Sequence, residues 1–306
     1  MRLGDQARMK LITYSAFAKS HQPGLLLDDA VYPLPFASML DLIEAGDKGL
    51  ERARRAAEGK RISLSDATLH APLLRPTTLR DAYAFETHVK TANANRGREV
   101  PEEWYKFPVF YFTNPGNVFG PDDEIPFPGY TDEMDYELEI AAVIGRPGRD
   151  IRPEDAPKHI FGYTIFNDWS ARDIQREEMK VGLGPGKGKD FASSLGPCIV
   201  TPDQLSEKAA GRPGVYDLQM AARLNGKEMS RGSFKDIYWS FGDILARASQ
   251  AVTLMPGDVI GSGTVGTGCL LELTKANGPW LKPGDEVELE IERIGILKNT
   301  IGKKGG

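Results

Sequence analysis

The apolar positions of this chain come mostly in short bursts bounded by glycine, proline and acidic residues, which is the pattern of strands and turns. Residues 9–35 read as short strands, beginning with Lys10-Leu11-Ile12-Thr13-Tyr14, and the eight residues before them read as a disordered start. Ser38 to Gly59 is helix-prone and broken at Gly46, with Asp47 a candidate N-cap for the second piece and Gly59 a candidate stop. A proline-containing link, Ala71 to Pro76, divides a small N-terminal region, 1–71, from a catalytic-sized domain, 72–306. Thr77 or Thr78 can cap a helix running to about Ala94. Beyond it strands dominate: Phe107–Phe112, Tyr136–Ile144, Ile160–Phe166, and a segment from Thr267 to Thr274. Glu286, Glu288, Glu290 and Glu292 alternate with Val287, Leu289 and Ile291, the signature of a half-solvated strand. The expected fold class is α+β, predominantly β.

Composition narrows the function classes. The chain has 306 residues, 41% of them hydrophobic, and a net charge of −5, so no basic footprint points to nucleic acid. The densest basic run, Arg52 to Arg55, reads as a solvated helix face. No apolar run reaches membrane-spanning length and no charged-then-apolar leader opens the chain, so a cytoplasmic protein without a membrane partner is expected. Cys198 and Cys269 lie far apart in apolar surroundings and read as buried free thiols.

Several residues could carry chemistry. Asp168 can cap a helix after the apolar run Phe161–Phe166, and Arg172 and Gln175 follow at i+4 and i+7 on the same face. That grouping offers a metal ligand, a cation and an amide; it equally suits a capped surface helix with an i,i+4 ion pair. Glu137 and Glu139 would project from one face of a strand, roughly 6.5–7 Å apart. The continuously apolar Ile140–Ile144 that follows implies burial on both faces, and buried acids need a cation or hydrogen-bond partners. With Asp168 they form an all-oxygen set suited to Mg²⁺, Mn²⁺ or Ca²⁺. Asp81 and His88 would share one face of the helix expected there, their backbones roughly 10 Å apart. A lone helical histidine is more often structural, although histidine is also the commonest general base. His21, His70 and His159 receive no role.

Two glycine-rich stretches invite other readings. Gly261-Ser262-Gly263-Thr264-Val265-Gly266 has dinucleotide-binding spacing, but that fingerprint should open a helix and a strand is expected next. Gly182–Gly188 lacks the lysine-hydroxyl ending of a phosphate loop and better suits a flexible lid carrying Lys189.

Taken together, Glu137-x-Glu139, Phe166-Asn167-Asp168-Trp169-Ser170-Ala171-Arg172-Asp173-Ile174-Gln175, Lys189-Asp190-Phe191 and Gly261-Ser262-Gly263-Thr264 resemble the fumarylacetoacetate hydrolase family over residues 72–306. Ile294–Asn299 is similar to the family's last strand. The resemblance implies a mixed β-roll or sandwich catalytic domain with a small N-terminal α/β region, and a homodimer. It implies that Glu137, Glu139 and Asp168 bind a divalent cation, Mg²⁺ first and Mn²⁺ or Ca²⁺ otherwise, with Asp81 as an additional ligand. His88 would activate water, and Glu272 would orient that histidine. Arg172, Gln175 and Lys189 would stabilise a developing carbanion, and Tyr83, Tyr111 and Thr264 would bind substrate.

The chain departs from the family pattern in several places. Its N-terminal region is shorter than the separate N-terminal domain of fumarylacetoacetase proper. No aromatic follows Gln175 in Arg176–Met179, Ala192-Ser193 follows Phe191, and the connection Gly266–Cys269 is abbreviated. The implied activity is metal-dependent hydrolysis of a C–C bond in a fumarylacetoacetate-like or acylpyruvate-like β-diketo acid. The alternatives are decarboxylation, dienoate isomerisation or sugar-acid dehydration on a 2-oxo acid, or a non-catalytic dicarboxylate binder.

Overall fold

The computed structural model describes residues 9–17, 21–95 and 97–305; the expectation for residues 1–8 lies outside them. Among the described residues two large sheets carry the fold, beside a two-stranded ribbon of Met134–Asp135 and Ser170–Ala171. The larger runs, in spatial order, Ile62–Ser63, Ala30–Pro33, Gln22–Leu27, Lys10–Ser15, Ser193–Val200, Ile160–Asp168, Leu138–Ile144, Val259–Gly261, Leu79–Ala82 and Phe110–Thr113. Thr68–His70 and Val118–Phe119 pair onto it off this path. The smaller sheet has five strands, Lys227–Ser233, Gln219–Leu224, Glu286–Ile291, Gly295–Lys304 and Glu124–Phe127. The chain is therefore α+β and predominantly β, as its pattern implies.

Local sequence explains many elements. Glu286–Ile291 alternates half-buried and buried positions, matching its acid–aliphatic alternation. Asn225 and Gly226 both adopt positive φ (52° and 76°) in the hairpin between Gln219–Leu224 and Lys227–Ser233, the primed-turn geometry an Asn-Gly pair favours. Leu138–Ile144 is buried at every position because it lies between two cores. Leu138, Ile140, Ala142 and Ile144 enter one, while Ala141 and Val143 enter the other beside Leu11, Leu25, Leu42 and Ile43. The Ser38–Gly59 stretch forms two helices, Met39–Glu44 and Gly46–Ala56; Ala45 stands at the second N-cap, and Asp47 falls in the first turn instead.

Three expectations are corrected. The segment after Thr78 is not one helix: Leu79–Ala82 is a buried strand, and the helix begins only at Glu86 and runs to Ala94. Pairing with Val259–Gly261 on one side and Phe110–Thr113 on the other outweighs the local helical pattern. Asp168 is not an N-cap. It ends the strand Ile160–Asp168, and a two-residue bridge, Ser170–Ala171, separates it from the helix Arg172–Val181. Finally, Leu270–Leu273 is a short helix where a strand was expected. Its first N–H groups are claimed by Asp135, a tertiary partner that periodicity does not reveal.

The described residues up to 71 are joined to the rest by main-chain pairing, since Lys10–Ser15 is antiparallel to Ser193–Val200. Strand directions then define the working end of the large sheet. Ile160–Asp168 and Leu138–Ile144 are antiparallel, as are Leu138–Ile144 and Val259–Gly261, while Val259–Gly261 and Leu79–Ala82 are parallel. Asp168, Glu139, Gly261 and Asp81 consequently gather at one end of these four adjacent strands.

Candidate active site

Asp81 sits opposite both Gly261 and Tyr111 in the sheet register, and Glu139 sits opposite Phe166. Glu137 lies just before its strand, with its N–H donated to Asn167 Oδ1 at 2.9 Å. One carboxylate oxygen from each of Asp81, Glu137 and Asp168 lies within 4.8 Å of the others, and all three residues are buried. Glu139 adjoins them through Gly263, whose N–H is shared between Glu139 Oε2 at 2.9 Å and Asp81 Oδ1 at 3.1 Å. That approach needs glycine: Gly263 has φ +79°, and a Cβ there would stand 2.7 Å from the Ala82 carbonyl oxygen. The glycine loop thus folds against carboxylates, a surrounding opposite to that required by a nucleotide phosphate.

Two buried cations stand beside this cluster. Lys189 Nζ donates to Glu137 Oε2 at 2.5 Å and lies 2.6 Å from Asp168 Oδ2. Arg172 donates to Glu137 Oε1 and Asp135 Oδ2, both at 2.8 Å, and to Gln175 Oε1 at 3.1 Å. Arg172 and Gln175 share a helix turn as the sequence suggests, whereas Asp168 reaches the group from the sheet. The Tyr111 hydroxyl donates to Asp168 Oδ2, and the Thr264 hydroxyl lies 3.4 Å from Glu139 Oε1.

The acids are not equivalent. Burial raises the Asp81 carboxyl to about 8, reinforced by the charge of Asp168. Burial and then Asp81 push Glu139 up as well, and burial raises Asp168 despite Lys189. Burial works against ionisation of Glu137 too, but Lys189 and Arg172 outweigh it and hold that carboxyl well below its ordinary value. Asp168 Oδ1, moreover, is buried with no hydrogen-bond partner among the described residues. Crowded hard oxygens and an orphaned one fit a divalent cation. Asp81, Glu137 and Asp168, with Glu139 behind, are the residues that could hold it.

His88 comes from the helix Glu86–Ala94, and its Nδ1 bonds Glu272 Oε1 at 2.7 Å. The pair is buried, and the Tyr83 ring meets the His88 ring edge-on at 5.3 Å between centroids. Asp81 and His88 do not share a helix face; strand and helix bring them to one cavity. This cavity, about 480 Å³, is lined by Asp81, Tyr83, His88, Tyr111, Glu137 and Thr264, and also by Arg172, Gln175 and Lys189. Trp104, Val109 and Phe110 supply an apolar flank. The loop before Lys189 is largely exposed, while Lys189 itself is buried.

Sequence reasoning gave Asp135 and Asn167 no role. Asp135 accepts from Leu270 N, Leu271 N and Arg172 Nε, and so ties the helix bearing Glu272 to the arginine. The signal available was an acid beside a strand running into two cores; its partners were not legible.

Buried carboxylates at strand ends, a candidate divalent-cation site, thus share a cavity with the histidine of a histidine–glutamate pair. The family model for the fumarylacetoacetate (FAA) hydrolase C-terminal region matches residues 77–302, and the chain belongs to that family. It is similar to the human protein named oxaloacetate tautomerase FAHD2A, mitochondrial, with 32% identity covering 91% of this chain and 84% of that one. It is also similar to oxaloacetate tautomerase YisK of Bacillus subtilis, with 31% identity covering 87% and 86% respectively. Among solved structures, a fumarylacetoacetate hydrolase from psychrophilic Exiguobacterium antarcticum superposes with a TM-score of 0.75 and 29% identity, covering 96% of this chain and 99% of that one.

Proposed function

We propose that the protein is a divalent-metal-dependent enzyme that shifts a proton at a 2-oxo acid, interconverting the keto and enol forms of an oxaloacetate-like diacid. The observation that carries this reading is the buried His88–Glu272 pair, 2.7 Å apart, whose histidine lines the same cavity as Asp81 and Glu137, the two acids grouped with Asp168. The names of the human and Bacillus relatives favour it. A cation held by the carboxylates would polarise the oxygens of a bound 2-oxo acid and make the neighbouring carbon more acidic. His88, held through Nδ1, has Nε2 to take the proton from that carbon and return it to the enolate oxygen. Glu272 fixes the ring orientation and favours the transient imidazolium. Arg172 and Lys189 neutralise Glu137 and keep positive charge beside the ligand, with Gln175 orienting Arg172. Tyr83, Tyr111 and Thr264 line the ligand's place.

Hydrolysis of a β-diketo acid is the second reading. The same histidine could activate water, and the apolar flank of Trp104, Val109 and Phe110 gives room for more than a four-carbon diacid. Product analysis separates the two. With enol oxaloacetate, ketonisation followed in the ultraviolet is expected to accelerate with Mg²⁺ or Mn²⁺, and His88→Ala is expected to lower the rate about 10²–10⁴-fold. Carbon–carbon cleavage of acylpyruvates without any effect on ketonisation would transfer the assignment to hydrolysis. Full ketonisation by His88→Ala would reject the proton-transfer role. A homodimer in the cytoplasm is part of the same proposal, to be read by sedimentation and by fractionation.

A further inference from the structure

A second set of metal-ligating side chains lies on the histidine side of the cavity, with chemistry unlike that of the carboxylate cage. Cys269 immediately precedes the helix Leu270–Leu273, with its thiol buried and free. Glu272 follows three residues later, and His88 faces it from the helix Glu86–Ala94. One ligand atom from each of His88, Cys269 and Glu272 lies within 4.8 Å of the other two. An independent observation points to a missing partner. Glu272 Oε1 bonds His88, but its Oε2 is buried with no hydrogen-bond partner among the described residues, and the side chain is only 1% exposed. A carboxylate oxygen left so is costly, and a thiol is too weak a donor to compensate it.

The proton transfer proposed above uses imidazole and carboxylate and has no task for a thiol. Sulfur, nitrogen and oxygen together select ions that Mg²⁺ chemistry does not, since Mg²⁺ demands oxygens and Zn²⁺ favours thiolate and imidazole. Zn–S bonds of about 2.3 Å and Zn–N and Zn–O bonds of about 2.0–2.2 Å put tetrahedral ligand atoms roughly 3.3–3.6 Å apart. The His88–Glu272 contact would open slightly from 2.7 Å, and the other two separations lie within reach.

We propose that His88, Cys269 and Glu272 form a thiophilic metal site, separate from the carboxylate cage, which takes Zn²⁺ and silences the enzyme by occupying the His88–Glu272 pair. Binding forms Zn–S, Zn–N and Zn–O bonds, releases the thiol proton to solvent and moves the imidazole proton from Nδ1 to Nε2. No oxidant or reductant is involved. Binding stands on the ligand set and the orphaned Glu272 oxygen; the silencing claim rests on the function proposed for His88.

The test uses the whole chain saturated with Mg²⁺ and titrated with Co²⁺ as a spectroscopic surrogate for Zn²⁺. A near-ultraviolet thiolate-to-cobalt charge-transfer band, bleached by added Zn²⁺, is expected. Cys269→Ser and Cys269→Ala are expected to lose the band while keeping Mg²⁺-supported turnover. Loss of outer-shell groups alone weakens metal sites about 10–100-fold, so half-inhibition by Zn²⁺ is expected to move up at least about tenfold in both variants. No band in the wild type at saturation overturns the site, and this reading needs no variant to fold. A band that survives both substitutions overturns it as well. Band loss with unchanged Zn²⁺ inhibition overturns the silencing claim alone. The band is read without turnover, so failure of the functional proposal is distinguishable from failure of the site.

Discussion

Glu137 accepts from two buried cations, Arg172 and Lys189, while Asp168 keeps one oxygen without a partner among the described residues. The two acids should therefore respond differently to neutralisation. Glu137→Gln leaves Arg172 and Lys189 short of a counter-charge and is expected to cost about 3–5 kcal/mol in urea unfolding, along with metal affinity. Asp168→Asn, with Lys189 still paired to Glu137, is expected to lose metal affinity in calorimetric titration with a smaller loss of stability. Equal destabilisation by both would contradict the division of labour. pH offers a second probe. The Asp81 carboxyl moves from an ordinary 3.8 to about 8, so between those values the folded protein binds a proton that the unfolded chain lacks. Stability contributed by that proton is present at low pH and lost as pH rises through about 8. Glu139 and Asp168 shift in the same direction. Glu137, with a depressed value, acts oppositely, but its contribution is lost only in more acidic solution, as pH falls below the ordinary 4.5. With a chelator present, Tm is expected to fall from pH 5.5 to 8.5, and excess Mg²⁺ should flatten the profile by replacing the protons. A chelated protein that becomes more stable over that range would count against the crowded-acid description.

At the scale of elements, the site depends on close approach of backbones. Gly261 ends its strand beside Asp81, and a Cβ there would meet Asp81 Oδ1 at 2.4 Å and Phe166 Cδ1 at 2.6 Å. Gly261→Ala is expected to displace Asp81, weakening metal binding at least about tenfold and costing about 1–3 kcal/mol by overpacking. Retained affinity would show that Asp81 is not needed by the ion. A control lies away from the cavity in the helix Phe241–Ala248, where Ser240 and Asp243 form a reciprocal capping box. Ser240→Ala should cost about 1 kcal/mol in denaturant unfolding and leave turnover unchanged, since only a cap is lost. A fall in turnover would mean that the helix is coupled to the cavity.

For the whole molecule, the large sheet makes the N-terminal residues part of the support for the site. Lys10–Ser15 covers the edge of Ser193–Val200, which lies against the Asp168 strand. Leu11, Leu25, Leu42 and Ile43 pack in the core that receives Ala141, Val143, Phe161 and Phe166. A chain starting at residue 72 would expose that edge and that apolar face, so it is expected to aggregate in size-exclusion chromatography. A monodisperse, active 72–306 fragment would instead support an independent catalytic unit.

Much was legible along the chain because it is local. Acid–aliphatic alternation marked Glu286–Ile291, a continuous apolar run marked the doubly buried Leu138–Ile144, and the motif around Asp168 marked the family. The chemical identity of the acids, the histidine and the lysine was likewise set along the chain, and with it the all-oxygen character of the candidate cation site. Tertiary structure decided what depends on partners distant in sequence. Leu79–Ala82 became a strand because two other strands bond to it, and Leu270–Leu273 became a helix because Asp135 claims its first N–H groups. It also placed Cys269 beside His88 and Glu272, and left Glu272 Oε2 without a partner among the described residues. Periodicity reports the face a residue prefers; only packing determines which side chains from separate elements meet there, and with what charge left uncompensated.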